Sequence, residues 1–140
     1  MDWKECNDKK LIKKIKEDKK LSKALTKSSK NKLKTNNLIR LDKTTASTKV
    51  GIIYDSIREL LEALAIKKGY KIYNHDCFCA FLDEICKDKK SSKIFDKLRR
   101  IRNKINYYGV TLEISEAKEI IREISLLRKE VIKKYFKNEP

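Results

Sequence analysis

The side chains best suited to chemistry lie between Lys97 and Gly109, where arginine, asparagine and tyrosine occur close together. Five of the eight residues from Lys97 to Lys104 are basic and none is acidic. Guanidinium and amide groups are donors that suit the oxygens of a phosphate. The stretch therefore predicts a phosphate-binding patch, formed by Arg99, Arg100, Arg102, Asn103, Lys104 and Asn106.

A helix is predicted to position this patch, because the apolar residues of the region repeat at steps of three and four. These apolar residues are Ile94, Leu98, Ile101, Ile105 and Tyr108. Arg102 and Asn106 are four residues apart and share a face beside this stripe, where a side chain is half-buried at a packed surface. Gly109 predicts the end of the helix, since glycine commonly follows the last turn.

Similar patterns predict the other helices. They cover about 20–40, Val50 to Gly69, Asn74 to about Asp88, the stretch that Ser91 or Ser92 caps, and a last stretch that Ser115 caps. Leu11, Ile12 and Ile15 suggest one more short helix. Tyr70–Tyr73 is predicted to be a connector and Val110–Ile114 a short extended piece.

The composition favours an all-α fold. There are only three glycines and one proline in 140 residues, and a β-rich fold of this length needs more turn residues. We predict an up-and-down bundle of four to five helices over residues 20–140. Residues 1–19 are predicted to be an appended basic arm, either helical or frayed.

The charge of the chain is strongly positive. It has 36 basic and 20 acidic residues, a formal net charge of +16, and residues 1–40 contain 14 of the basic residues. Such an excess favours a polyanionic partner. The alternative is the lysine-rich composition of some thermophiles, in which basic faces are only solvated.

The cysteines do not predict a metal site. Cys79 and Cys86 share one helix face and are interpreted as small buried hydrophobic residues. A zinc site built from His75, Cys77 and Cys79 would lack a fourth ligand and the usual spacing, so no metal or other cofactor is predicted. His75, the only histidine, is expected at a helix start, hydrogen-bonded or exposed rather than catalytic.

No apolar run approaches the roughly 18 residues that a membrane span requires, and the first ten residues lack the apolar core of a signal peptide. We therefore expect a cytoplasmic protein with no membrane partner.

Acidic residues concentrate on the polar face of the helix that ends at Gly69. Arg58 and Glu62 are interpreted as an ordinary i, i+4 ion pair. Glu59 is a candidate for orienting Arg102 from a neighbouring helix.

The order of these elements resembles an archaeal branch of the HEPN superfamily over about residues 45–137. Two features carry the resemblance: the segment RELLEALAIKKGYK, followed by a capped helix, and the pair Arg102–Asn103 late in the next helix. The resemblance implies a helical bundle that usually forms a homodimer. In that dimer, the arginine-bearing helices of two protomers meet and form a cleft that holds RNA or a nucleotide.

Many HEPN proteins are metal-independent endoribonucleases, in which a histidine follows the arginine after four to six residues. Arg102 and Asn103 match that motif, but the positions of the histidine hold Tyr107, Tyr108 and Gly109. A phenol with a pKa near 10 is a poor base at neutral pH. An enzyme would therefore depend on Arg102, Asn103 and Tyr107, and we lean towards a protein without catalytic activity.

Three functions are compatible with these residues. The first is a dimeric module that binds RNA or a nucleotide through the phosphate-binding patch. The second is a toxin-like ribonuclease that a nucleotidyltransferase-type partner neutralises, as in related HEPN pairs. The third is a helical scaffold without nucleic acid, in which Arg102 forms a salt bridge to Glu59 or Asp55 of a second protomer.

Overall fold

The computed structural model describes residues 1–109 and 111–137 of the chain. Six α-helices and one two-stranded antiparallel sheet are present in these ranges. They are α1 (Trp3–Asp8), β1 (Ile12–Lys14), α2 (Lys19–Leu38), α3 (Ala46–Lys67), β2 (Tyr70–Ile72), α4 (His75–Ala80), α5 (Lys89–Tyr108) and α6 (Ile114–Tyr135). Helix α4 continues into a π-helical turn, Phe81–Ile85. The predicted all-α fold is confirmed.

Helix α3 is the centre of the bundle and packs against α2, α5 and α6. It is apolar around most of its circumference, as expected for a helix enclosed by others. Six of its large aliphatic side chains are no more than 1% exposed: Ile53, Ile57, Leu60, Leu61, Leu64 and Ile66. Burying one such side chain contributes about 1.5–3 kcal/mol, so α3 is the element on which the others assemble.

The close contact between α2 and α3 is made by small polar residues. Ser29 donates a hydrogen bond to the carbonyl of Ser56 at 2.6 Å, and Ser56 donates to the carbonyl of Ser29 at 2.8 Å. Arg128 of α6 is also buried here and donates from Nε to Oγ of Ser56 at 3.1 Å. Helices α2, α3 and α6 therefore share a buried polar contact.

Several helix ends lie where the sequence predicts them. The predicted helix over 20–40 corresponds to α2, and Gly69 and Gly109 follow α3 and α5 with φ of 90° and 59°. Only glycine adopts this left-handed conformation without a steric cost. The predicted cap at Asn74 is also confirmed, since its side chain accepts a hydrogen bond from the backbone N–H of Asp76 at 2.8 Å.

The predicted caps of the last two helices are wrong. Asp88, rather than Ser91 or Ser92, precedes α5, and its carboxylate accepts a hydrogen bond from the N–H of Ser91. Helix α6 begins at Ile114, so Ser115 lies inside it. In both cases the helix starts earlier than the serines. Residue 110, in the predicted extended piece, lies outside the described residues.

The short helix predicted near Leu11 and Ile15 is also wrong, because Ile12–Lys14 forms the strand β1. This strand pairs with β2, in the segment that the sequence analysis predicted to be a connector. The register places Ile12 opposite Ile72. A three-residue element is too short for periodicity to separate strand from helix. The partner strand, about 60 residues away, decides the conformation.

A disulfide between Cys6 and Cys77 joins α1 to α4 across 71 residues of sequence. Both cysteines are fully buried. Near this bond, the ring of Trp3 packs edge-on against Tyr70 at a centroid distance of 5.2 Å. Residues at the start of the chain are thus packed onto the bundle, and the sequence analysis did not foresee this pairing.

No helix within 1–109 and 111–137 combines the length and the apolar character needed to cross a bilayer. Disulfides are typical of oxidising compartments and of intracellular proteins of hyperthermophiles. The cytoplasmic location therefore stays a prediction.

Replacing Cys6 with serine is expected to lower the free energy of unfolding by about 2–4 kcal/mol, because the disulfide closes a long loop and lowers the conformational entropy of the unfolded chain. Urea unfolding at pH 7 without reductant measures this change. The control is Cys86→Ser, which alters a half-buried free thiol. Equal stability of the Cys6→Ser variant and the wild type would show that the bond contributes nothing.

Candidate anion-binding site

The start of α5 is fixed against the end of α6 by Asp88. The carboxylate of Asp88 accepts hydrogen bonds from the hydroxyl of Tyr135 at 2.9 Å and from Nζ of Lys134 at 3.2 Å. Burial alone would raise the pKa of Asp88, but hydrogen bonds from Ser91, Tyr135 and Lys134 outweigh it and lower the pKa. This anchor determines where the basic helix α5 lies on the bundle.

Two core residues determine which face of α5 remains outside. Phe95 and Leu98 are no more than 1% exposed, whereas Ile101 and Ile105 are half-buried. Tyr108, expected on the buried stripe, is 80% exposed. The buried contact is therefore strongest in the first half of α5, and the second half reaches the surface.

Arg102 lies at the border between core and surface. Its guanidinium carbon is 5.2 Å from the centre of the Tyr54 ring, which is a cation–π contact. Among residues 1–109 and 111–137, no carboxylate lies within ion-pair distance of this guanidinium. Arg102 is thus held in place by a neutral ring and keeps a positive charge that no neighbouring acid cancels.

His75 reaches the same tyrosine from the first residue of α4. Its Nδ1 lies 3.2 Å from the hydroxyl of Tyr54, within hydrogen-bond distance. Burial, Arg58 and Arg102 lower the pKa of His75 to about 4, against a smaller opposing effect of Asp55. The imidazole is consequently neutral at pH 7. Sequence reasoning had kept this residue apart from Arg102.

Arg58 completes a group of four side chains, Tyr54, Arg58, His75 and Arg102, which we call the Tyr54 cluster. The predicted i, i+4 pair is confirmed, because Nη1 of Arg58 lies 3.1 Å from a carboxylate oxygen of Glu62. Asp55 is a second, longer neighbour at 3.9 Å. Arg58 is therefore paired with acids of its own helix, unlike Arg102.

Two other arginines of the predicted patch are paired inside the chain. Arg99 and Arg100 both bind the carboxylate of Asp96, at 2.8 Å and 3.0 Å. Arg99 also lies 3.6 Å from Asp76 of α4. Only the pair with Asp76 joins α5 to α4, and all three pairs leave less positive charge for an external ligand than the sequence analysis suggested.

The remaining residues of the predicted patch lie further along α5. Asn103 is half-buried, whereas Lys104 and Asn106 are exposed. Tyr107, the residue that a ribonuclease would need, is 76% exposed. The structure therefore keeps the predicted residues on one helix but gives them different surroundings, and only Arg102 belongs to the Tyr54 cluster.

Glu59 lies elsewhere. Its side chain is buried on the face of α3 that meets α2, where it forms an ion pair with Lys32. The expected orienting contact to Arg102 is replaced by this pair, since Tyr54 and Glu59 are five residues apart and point in different directions around the helix.

One thiol and two carboxylates near the Tyr54 cluster form a group that resembles a metal site. Asp76, Cys79 and Asp96 offer ligand atoms within 4.8 Å of one another. The guanidinium of Arg99 pairs with both carboxylates, however. Burial, followed by Asp96, raises the pKa of Cys79 to about 12, so its thiolate is not populated at neutral pH. Cys77 of the rejected zinc set is bound in the disulfide.

No protein-family model, curated protein or solved structure matches this chain. The relationship to the HEPN superfamily therefore stays a prediction. The same holds for the homodimer, for the nucleotidyltransferase-type partner and for the ribonuclease and scaffold alternatives.

The low pKa of His75 predicts a pH dependence of stability. Its folded pKa of about 4 lies below the ordinary value of 6.5, so between these values the unfolded chain binds a proton that the folded chain does not. The stabilisation is complete above pH 6.5 and is lost as the pH falls towards 4.

His75→Gln removes this titration while keeping a polar side chain. The free energy of unfolding, measured by urea at several pH values from 7.5 to 4, should fall more steeply for the wild type than for the variant. Parallel curves for the two proteins would contradict the low pKa.

Proposed function

We propose that the chain binds RNA or a nucleotide through phosphate groups at the surface around Arg102. The observation that carries this proposal is the guanidinium held on the Tyr54 ring without a carboxylate in the described residues. A guanidinium that is already positioned loses little conformational entropy when it binds an anion. Its uncancelled charge makes a phosphate the favoured ligand.

The charge of α5 supports a polyanion over a single small anion. This helix contains eight basic residues and one acidic residue, Asp96. Its exposed cations extend along its whole length: Lys89, Lys90, Lys93, Lys97, Arg100 and Lys104. A helix of 20 residues is about 30 Å long, so these cations would follow several phosphates of one strand.

Exposed aromatic rings favour a single strand over a duplex. Tyr107 and Tyr108 are 76% and 80% exposed at the end of α5. Unpaired bases stack on such rings, which supplies affinity without sequence preference. We therefore expect single-stranded RNA to bind more tightly than double-stranded RNA of the same length.

Arg102→Ala is expected to weaken binding of single-stranded RNA about tenfold, since a charge-assisted contact contributes about 1.5 kcal/mol or more. The slope of log K against log salt should decrease by about 0.7, the value for one lost phosphate contact on a single strand. Fluorescence anisotropy of a labelled oligonucleotide at several salt concentrations measures both quantities.

Arg122→Ala is the matched control, because Arg122 is an exposed arginine of α6 that is paired with Glu119. It removes the same formal charge at a different surface. If both variants weaken binding equally, the effect is one of total charge and the proposed site is wrong. Affinity of the wild type that does not depend on salt would also contradict the proposal.

A further inference from the structure

We infer that His75 is a second phosphate-binding residue of this site. Its Nε2 donates a hydrogen bond to a phosphate group next to the phosphate group that Arg102 binds. The inference rests on the proposed function for the source of the phosphate. It adds a residue from α4 to a phosphate-binding patch that the sequence analysis predicted on α5 alone.

The proton of the imidazole is located by Tyr54. This tyrosine is fully buried, and within the described residues its hydroxyl has one hydrogen-bond partner, Nδ1 of His75. If Nδ1 were the donor, the hydroxyl hydrogen would be buried without an acceptor, which is the costlier arrangement. Burial also raises the pKa of Tyr54, so the hydroxyl keeps its proton. The hydroxyl therefore donates to Nδ1, and the neutral ring has its hydrogen on Nε2.

The N–H at Nε2 is free to meet a ligand. His75 is only half-buried, and Nε2 has no hydrogen-bond partner among residues 1–109 and 111–137. Nε2 is not one of the fully buried polar atoms, and it is therefore in contact with solvent. An N–H donor that faces solvent near an uncancelled guanidinium is suited to an anion and not to a cation.

The charges around His75 make its pKa sensitive to a bound phosphate. Arg58 of α3 and both Arg99 and Arg102 of α5 oppose protonation of His75, while Asp55 of α3 favours it. A bound phosphate would add negative charge and offset the guanidinium groups, which raises the pKa of the imidazole. Binding should therefore take up protons, and affinity should increase as the pH falls from about 6 towards 4.

This arrangement distinguishes binding from catalysis. A neutral imidazole with its hydrogen on Nε2 cannot take a proton from a ribose hydroxyl through that atom, and its other nitrogen already accepts the hydroxyl of Tyr54. His75 in this tautomer is a donor to the phosphate and not a general base. His75 is therefore not expected to supply the general base for cleavage of a bound RNA.

Nitrogen NMR tests the inference directly, because the chain has only one histidine. In protein labelled with 15N-histidine, the imidazole should show the tautomer with hydrogen on Nε2 at pH 7. Its pKa should be near 4 without ligand, and saturation with single-stranded RNA or with inorganic phosphate should raise it by at least one pH unit. Tyr54→Phe, which removes only the hydroxyl, should mix the two tautomers.

Two variants distinguish the loss of this hydrogen bond from a loss of the fold. His75→Ala should weaken RNA binding at pH 7 by about three- to tenfold. His75→Gln retains an N–H donor in a similar place and should bind more tightly than His75→Ala, with an affinity that lacks the wild-type increase between about pH 6 and 4. Circular dichroism and urea unfolding show whether each variant is folded before its affinity is compared.

The outcomes distinguish this inference from the proposed function. If RNA binds with the expected salt dependence but His75→Ala binds equally well and the imidazole signals do not move, His75 is not a ligand and the proposed function still stands. If RNA does not bind while inorganic phosphate raises the pKa of His75, the phosphate contact is supported and the RNA ligand is wrong. Cleavage of RNA in chelator that His75→Ala abolishes would overturn the role as a donor.

Discussion

The ring of Tyr54 is the contact on which the candidate site depends. It is fully buried, and it stacks on Phe95 of α5 with a centroid distance of 5.6 Å and an interplanar angle of 13°. Arg102 lies over the same ring, and His75 binds its hydroxyl. One side chain of the central helix α3 thus holds a cation from α5 and an imidazole from α4. Because the interior around it is closely packed, small displacements of any of the three helices would be felt at this point.

The arginines near this ring differ in what surrounds them, and this difference decides which one is available to a ligand. Arg58 pairs with acids of its own helix, and Arg99 and Arg100 share Asp96. Pairs at a protein surface contribute about 0–1 kcal/mol each to stability, so they are a weak explanation of the fold. Their clearer effect is electrostatic, since each of these three guanidinium groups has a carboxylate within ion-pair distance, whereas that of Arg102 has none within the described residues.

The position of His75 depends on residues far away in the chain. Helix α4 has six residues, and isolated helices shorter than about 12 residues are marginal in water. The disulfide to Cys6 holds α4 from one side, and strand β2 immediately before it is paired with β1. The N-terminal segment therefore helps to build the site even though it contributes no residue to the Tyr54 cluster.

The sequence alone was sufficient for the long helices and for the basic character of α5. Periodicity, capping by Asn74 and the glycines after α3 and α5 are local signals, and they predict helices because residues three and four positions apart share one face of a helix. Only the tertiary structure could decide the rest: the pairing of β1 with β2, the disulfide across 71 residues, the ion pair of Glu59 with Lys32, and the meeting of His75 with Arg102. Each of these joins residues that are distant in sequence, and which distant residues meet depends on how the helices pack around α3.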